Sequence, residues 1–156
     1  MKWITRERPK LDRVACPWLI TRFIDSSPEF IFAPAADVVR LATDLNAIPF
    51  DIEGVELSHE GSLCTFDALL TKYDLTDPAL HELATIVRAA DTGRLDLAPA
   101  AAGLLAISLG LSHNFTDDHE LLGHGFVIYD ALYAWSLHAK GETHTWNPQR
   151  GQRVGA

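Results

Sequence analysis

Two arginines and a cysteine near the start of the chain form a pattern suited to binding an anion. Arg13 and Cys16 lie close to the predicted beginning of a helix, and Arg22 follows in the same helix. Guanidinium groups and helix N-termini attract anions and stabilise a thiolate. We therefore predict that these three residues bind a small oxyanion, with Cys16 responsive to oxidation. The alternatives are a buried core thiol and arginines paired with carboxylates, because residues nine apart lie on opposite sides of a helix.

The distribution of charge supports an anion-attracting entrance. The first 22 residues hold six of the thirteen Lys and Arg residues and carry a formal charge of +4, whereas the whole chain carries −8. A basic segment on an acidic protein creates a local positive field. The acidic balance argues against broad nucleic-acid binding and against docking on anionic lipid.

A second set of residues has the chemistry of a metal site. His59 follows a predicted strand, where α/β proteins often place their sites. Asp91 lies on the apolar stripe of a predicted helix, and a buried carboxylate must be paired or liganded. With His119 they form a set of two imidazoles and one carboxylate, which suits one divalent Fe, Mn or Zn ion. The alternatives are a hydrogen-bonded histidine at a strand end and an aspartate that caps the turn before Gly93.

The first turn of the last predicted helix supplies candidate acid and base residues. Asp118 and Glu120 flank His119 and would act as acid and base beside a metal. The segment from His119 to His124 does not form a zinc-protease motif, because its histidines are five residues apart instead of four. The alternative for both carboxylates is simple stabilisation of the helix N-terminus.

The composition indicates a globular protein with reduced thiols. Of the 156 residues, 47% are hydrophobic and 22% are charged, and there are two cysteines. No secretion signal and no apolar stretch long enough to span a bilayer is present, so we expect a cytoplasmic protein. No phosphate-binding glycine loop, dinucleotide fingerprint or serine-hydrolase elbow occurs, so we expect no nucleotide cofactor.

The periodicity of apolar residues predicts one domain of the α/β class over residues 1–156. The first third alternates strands with helices, which predicts a small, mostly parallel sheet with an antiparallel addition at a hairpin near Gly54. The chain from Thr65 onward is predicted to be helical, with Thr65 as the cap of its first helix, and Asp77 as the cap and Pro78 as the first residue of its second. These helices would pack on the sheet, with the third apolar on every side and therefore central. We expect the tail at 140–156 to be loosely packed. The predicted strands are 2–6, 29–33, 47–52 and 55–59. The predicted helices are 12–25, 36–45, 66–73, 77–90 and 117–139, with a further helix that starts at Asp96 and Pro99.

Several sequence segments resemble the C-terminal domain of ChrB, the chromate-resistance family. They include Asp12 to Ile20, Phe50 to His59 and Ala89 to Leu95. The resemblance covers roughly residues 2 to 138 and implies a bacterial cytosolic protein tied to chromate or oxidative stress. Longer members carry an additional N-terminal region and act as chromate-responsive regulators. The family's motif positions in this chain are Arg13, Cys16, Trp18, His59, Asp67, Asp91, Asp118 and Asp130.

Three functions remain open from the sequence. The first is a sensor or resistance factor that binds a small oxyanion or a divalent metal, with no nucleic-acid or membrane partner. The second is a metal-dependent enzyme, a lyase or hydrolase acting on a small organic substrate. The third is an interaction domain in which Tyr129, Tyr133 and Trp135 form a homodimer surface.

Overall fold

The computed structural model describes residues 1–144, and its first third contains a parallel sheet. Strand β1 (Lys2–Arg6) lies in the centre, between β2 (Glu29–Ala33) and β3 (Ile48–Pro49), and pairs with both in parallel. The first two strands match their predicted bounds. The third is shorter than predicted, because the positive φ angle of 51° at Asp51 turns the chain away soon after Pro49. The predicted small parallel sheet in the N-terminal half is confirmed.

Helices form most of the rest of the described chain, and four of its six α-helices follow the sheet. The predicted packing of a helical C-terminal half with a parallel sheet is therefore confirmed. The α-helices are α1 (Asp12–Leu19), α2 (Val38–Leu45), α3 (Thr65–Lys72), α4 (Pro78–Asp91), α5 (Ala101–Asn114) and α6 (Asp118–Ala134). Shorter helical segments are the π-helical turns Ile20–Ile24 and Trp135–Ala139 and the 3₁₀ turns Ala35–Asp37 and Leu95–Leu97.

Capping side chains explain where the helices begin. The carboxylate of Asp77 accepts a hydrogen bond from the Ala79 N–H, and Pro78 occupies the first turn, as predicted. The predicted cap of α3 is wrong by one residue. Cys64, not Thr65, is the N-cap, because the Asp67 carboxylate accepts the Cys64 N–H at 3.0 Å.

The two faces of the sheet are covered by different helices. Ile4 packs with Val38 and Ala42 of α2 on one face. Trp3, its neighbour in β1, joins the larger core formed with the other helices. This alternation follows from the two-residue period of a strand. Most residues of α1 belong to the larger core. This packing holds α1 in place at the edge of the sheet.

The chain between β3 and α3 is a loop, although residues 55–59 were predicted as a strand. Asp51 and Gly54 adopt positive φ angles of 51° and 85°, which turn the chain tightly. Two isolated bridges hold the loop, a parallel one between Phe50 and Leu57 and an antiparallel one between Glu60 and Leu63. The antiparallel contribution is therefore one bridge and not a hairpin strand.

Helix α5 lies at the surface, so its predicted central position is wrong. Ile107 and Leu109 are 46% and 50% exposed, whereas Leu104 faces the core. Helix α5 is therefore apolar on every side but buried on only one. Tyr129 of the predicted dimer surface is buried, with its hydroxyl donating to the Leu11 carbonyl, while Trp135 is 37% exposed. A homodimer remains a prediction.

Among residues 1–144, no helix has the length and apolarity needed to cross a membrane. The predicted loose tail at 140–156 lies, from residue 145 onward, outside the described residues.

Candidate metal centre

The carboxyl edge of the sheet brings Arg6 and Asp51 together. Arg6 ends β1, and Asp51 follows β3 after one residue. The N–H of that residue, Phe50, donates to the Ile4 carbonyl at 3.0 Å and keeps the extension of β3 beside β1. The Arg6 guanidinium consequently reaches the Asp51 carboxylate, with Nη2 and Oδ2 3.1 Å apart. This edge is where open α/β sheets place ligands.

Asp12 is a fully buried carboxylate held by the N-terminus of α3. It is the first residue of α1, and its oxygens accept the backbone N–H groups of Thr65 at 2.7 Å and Phe66 at 3.1 Å. The Cys16 thiol donates to Asp12 Oδ1 at 3.2 Å. Helix N-termini favour negative charge, so α3 orients this carboxylate. Its Oδ2 faces His59.

His59 is the point at which three carboxylates meet. Its Nε2 lies 3.1 Å from Asp91 Oδ2, 3.3 Å from Asp51 Oδ1 and 3.5 Å from Asp12 Oδ2. Asp91 is the last residue of α4. The N–H of Asp51 donates to the Leu57 carbonyl at 2.8 Å and folds the loop so that His59 faces the cluster.

These distances fit a metal site better than a hydrogen-bonded histidine. One Nε2–H can donate to a single carboxylate, whereas oxygens of three carboxylates lie within 3.5 Å of that nitrogen. Ligands about 2.1 Å from a metal, on adjacent coordination positions, stand roughly 3.0 to 3.4 Å apart. One donor atom each from Asp12, His59 and Asp91 lies within 4.8 Å of the others. These three residues could therefore hold a divalent metal.

The electrostatics of the cluster favour a bound cation. Burial and the nearby charges of Asp51 and Asp91 raise the pKa of Asp12 to about 7. Burial, followed by the Asp51 charge, also raises the pKa of Asp91. In both residues, burial and neighbouring carboxylates disfavour the negative form. A divalent cation at the shared point would stabilise both carboxylates.

The backbone is strained on two sides of the cluster. Leu11, directly before Asp12, has a φ of 44°, and Asp51 has a φ of 51°. Residues with a side chain rarely adopt these angles, and such strain concentrates at functional sites. The two strained residues position two of the carboxylates that surround His59.

Arg13 and Cys16 lie beside this cluster, and protein groups already occupy them. The Arg13 guanidinium has its Nε 3.4 Å from Asp51 Oδ2, and its Nη1 donates to the carbonyls of Arg6 and Glu7. Burial, followed by the charge of Arg6, lowers the pKa of Arg13. Burial, followed by the charge of Asp12, raises the pKa of Cys16 well above its usual value. Their predicted role in binding an anion stays a prediction.

Arg22 lies away from the Asp12 cluster, in the π-helical turn after α1. Its Nε and Nη2 donate to the two oxygens of Asp130 at 3.0 and 2.8 Å. Trp18 Nε1 donates to the same carboxylate at 2.8 Å. The structure therefore does not bring Arg22 to the site of Arg13 and Cys16, and its predicted role as an anion ligand stays a prediction.

The remaining predicted site residues lie on α6. His119 packs its ring edge-on against Phe32, with centroids 5.3 Å apart, and does not belong to the Asp12 cluster. Asp118 Oδ2 accepts the Arg8 N–H, while its buried Oδ1 has no donor among the described residues. The Glu120 N–H donates to Asp117. The metal-ligand role of His119 and the catalytic roles of Asp118 and Glu120 stay predictions.

Three residues of the site were not predicted from the sequence: Asp12, Asp51 and Arg6. Arg6 and Asp51 could have been predicted, since each stands at the carboxyl end of a predicted strand in a parallel sheet. The sequence indicates Asp12 less clearly, because acidic residues are common in the first turn of any helix. Its burial depends on the packing of α3 against α1.

The sequence matches the family described as "ChrB, C-terminal domain" over residues 3–136. It is also 34% identical over 133 residues to "Protein ChrB" of Cupriavidus metallidurans strain CH34. That alignment covers 85% of this chain and 40% of the relative, so the chain spans less than half of the relative's length. No solved structure matches the chain.

Proposed function

The chain belongs to the family of ChrB C-terminal domains and is thus a chromate-resistance-related protein; from this premise we propose that it binds a divalent metal ion through Asp12, His59 and Asp91. The observation that carries the proposal is the convergence of carboxylates on His59 Nε2, at distances of 3.1 to 3.5 Å. One imidazole with carboxylates suits Fe²⁺, Mn²⁺ or Zn²⁺.

The metal site would serve the family's function as a sensor or a resistance factor in the cytosol. An oxyanion site built from Arg13, Cys16 and Arg22 has weaker support. Arg13 is held by Asp51 and two backbone carbonyls, and Arg22 is held by Asp130. Cys16 is fully buried and donates to Asp12. We therefore give the metal site priority.

A second candidate function, a metal-dependent enzyme, is favoured by access to the site. A surface cavity of about 300 Å³ opens beside His59 and Asp51. The His59 side chain is 40% exposed, whereas Asp12 is 1% exposed. A small molecule could thus approach a bound metal from the histidine side, as metal-assisted hydrolysis or elimination requires.

The decisive experiment is metal titration of protein purified without a metal-affinity tag and stripped with a chelator. We expect one equivalent of Mn²⁺, Fe²⁺ or Zn²⁺ to bind to the full chain, measured by calorimetry and elemental analysis. Asp91→Asn and His59→Ala each remove a ligand and should weaken binding by about 100-fold.

Matched variants exclude a general effect of substitution. Asp96→Asn removes an exposed carboxylate paired with Arg94, and His124→Ala removes an exposed ring stacked on Phe115. Both should bind metal as the wild type does. Failure of the wild type to bind any of the three ions, or equal binding by Asp91→Asn and Asp96→Asn, would contradict the proposal.

A further inference from the structure

The open side of the metal site faces a cavity with a defined lining, whose role as a ligand site rests on the proposed function. Three protein ligands leave at least one coordination position of a divalent ion to water or substrate. Asp12 and Asp91 have side chains that are 1% and 20% exposed, compared with 40% for His59. A free position on the side of His59 would face the cavity beside that residue. Its lining residues are Arg6, Asp51, Ile52, Glu53, Ser58 and His59.

Arg6 provides a second positive group at this cavity. Its side chain is 40% exposed, and its Nη2 donates to Asp51 Oδ2. Its Nε is buried and has no acceptor within residues 1–144. A guanidinium offers five N–H donors in a planar fork, which matches the two oxygens of a carboxylate. The bond to Asp51 uses only part of this capacity.

A metal ion and a guanidinium on one small cavity select an anion. We propose that the site binds a small organic carboxylate, with the carboxylate group between the metal ion and the Arg6 guanidinium. Asp51 holds Arg6 in place, because its Oδ2 accepts from Arg6 while its Oδ1 lies 3.3 Å from His59 Nε2. In this proposal Arg6 binds the ligand, a role that the sequence did not predict for it.

The lining of the cavity favours an organic anion over a tetrahedral oxyanion. The cavity is open to solvent and, with a volume of about 300 Å³, has room for a ligand larger than a five-atom anion. Ile52 offers apolar surface, and the carboxylate of Glu53 opposes a compact dianion. Glu53 and Ser58 would instead accept hydrogen bonds from a hydroxyl or amino group of the ligand.

The test compares L-lactate with sulfate on Mn²⁺-loaded protein. Calorimetry measures affinity, and water-proton relaxation reports whether the ligand displaces water from the bound Mn²⁺. We expect lactate to bind and to lower the relaxation enhancement. Arg6→Gln should weaken lactate binding 10- to 100-fold, with Arg6→Lys intermediate, because it keeps the charge without the fork. Arg94→Gln, which removes an exposed arginine paired with Asp96, should leave it unchanged.

Mn²⁺ affinity is measured separately for each variant, so the two proposals fail differently. If the wild type binds no metal, the proposed function falls and the carboxylate site falls with it. If metal binds but lactate does not, or if Arg6→Gln and Arg94→Gln bind lactate equally, the carboxylate site alone is overturned. Sulfate binding tighter than lactate would assign the cavity to an inorganic oxyanion and would also overturn it.

Discussion

The helix that carries Asp12 begins in a buried acidic cluster, and the π-helical turn that continues it carries Arg22 into solvent. At the first end, burial and neighbouring carboxylates raise the pKa of Asp12 to about 7. At the second, the hydrogen bond from Arg22 lowers the pKa of Asp130, and the same bond raises the pKa of Arg22. The surroundings disfavour the charged form of Asp12 at the first end, and they favour the charged forms of Arg22 and Asp130 at the second.

The difference lies in burial and in the availability of partners. The Arg22 and Asp130 side chains are 42% and 46% exposed and neutralise each other. Asp12 is fully buried, and apart from His59 its partners are backbone N–H and thiol groups that bring no full positive charge. An ion pair exposed to water needs no further ligand. A buried carboxylate beside two others is stabilised by a bound cation, so the Asp12 end of the helix is the candidate functional site.

The largest expected effect comes from removing the buried charge with Asp12→Asn. Between pH values of about 4 and 7 the folded, metal-free protein keeps a proton that the unfolded chain has released, so rising pH favours unfolding. We compare the free energies of unfolding of the wild type and Asp12→Asn. Their difference, wild type minus variant, should therefore fall by up to about 4 kcal/mol as the pH rises over this range. Urea unfolding at several pH values in a chelator measures it.

Bound metal should remove this pH dependence, because the ion replaces the proton on Asp12. Repeating the series with saturating Mn²⁺ should give a wild-type curve that no longer declines. Asp25→Asn is the contrasting variant, since the N-terminal ammonium and Trp3 lower the pKa of Asp25 to about 2. Its stabilising contribution is lost as pH falls. A flat difference for Asp12→Asn would show that the buried carboxylate is already compensated.

Local patterns in the sequence were sufficient to predict most of the fold. The alternation in β1 and β2, and the Asp77-Pro78 start of α4, are decided by neighbouring residues, and they lie where predicted. Helix α5 shows the limit of this reasoning. Its apolar composition predicted burial, but its solvent exposure depends on which elements pack against it, and that information is not local.

The candidate site was only partly predictable for the same reason. His59 and Asp91 were predicted as ligands, and the structure brings them within 3.1 Å of each other. Their third partner was predicted as His119, whereas the structure supplies Asp12. Asp12 reaches the site because α3 packs on α1 and donates two N–H groups to it. No spacing in the sequence encodes that contact between distant segments.

An intermediate effect is expected where α6 packs against the first turn of α1. A Cβ atom at Gly125 would lie 2.5 Å from Val14 Cγ1, so in Gly125→Ala either the Val14 side chain or the helix backbone must shift. We expect a loss of about 2 kcal/mol in the free energy of unfolding. Gly123→Ala, with nothing within 4 Å of the new Cβ, should instead gain up to about 1 kcal/mol from helix propensity.

Adding Val14→Ala to Gly125→Ala relieves the clash and should restore part of the loss. Equal stability of Gly125→Ala and Gly123→Ala in urea unfolding would show that the contact with Val14 is relieved without cost. Because Val14 follows Asp12 by two residues, Gly125→Ala should also weaken Mn²⁺ binding. Gly125→Ala therefore tests whether the packing of α6 on α1 supports the buried acidic cluster.

The smallest effect is expected at the exposed end, from Arg22→Ala. The variant removes both bonds to Asp130 and the guanidinium that lies 5.7 Å from the Phe126 ring centroid. Trp18 Nε1 still donates to Asp130, so that carboxylate keeps a partner. An exposed pair contributes about 1 kcal/mol or less to the free energy of unfolding, and about 1 M salt should remove most of it. Urea unfolding at low and high salt, with Mn²⁺ titration, measures both quantities. A loss of several kcal/mol, or a change in Mn²⁺ affinity, would show that the exposed pair supports the buried cluster and that the two ends are not independent.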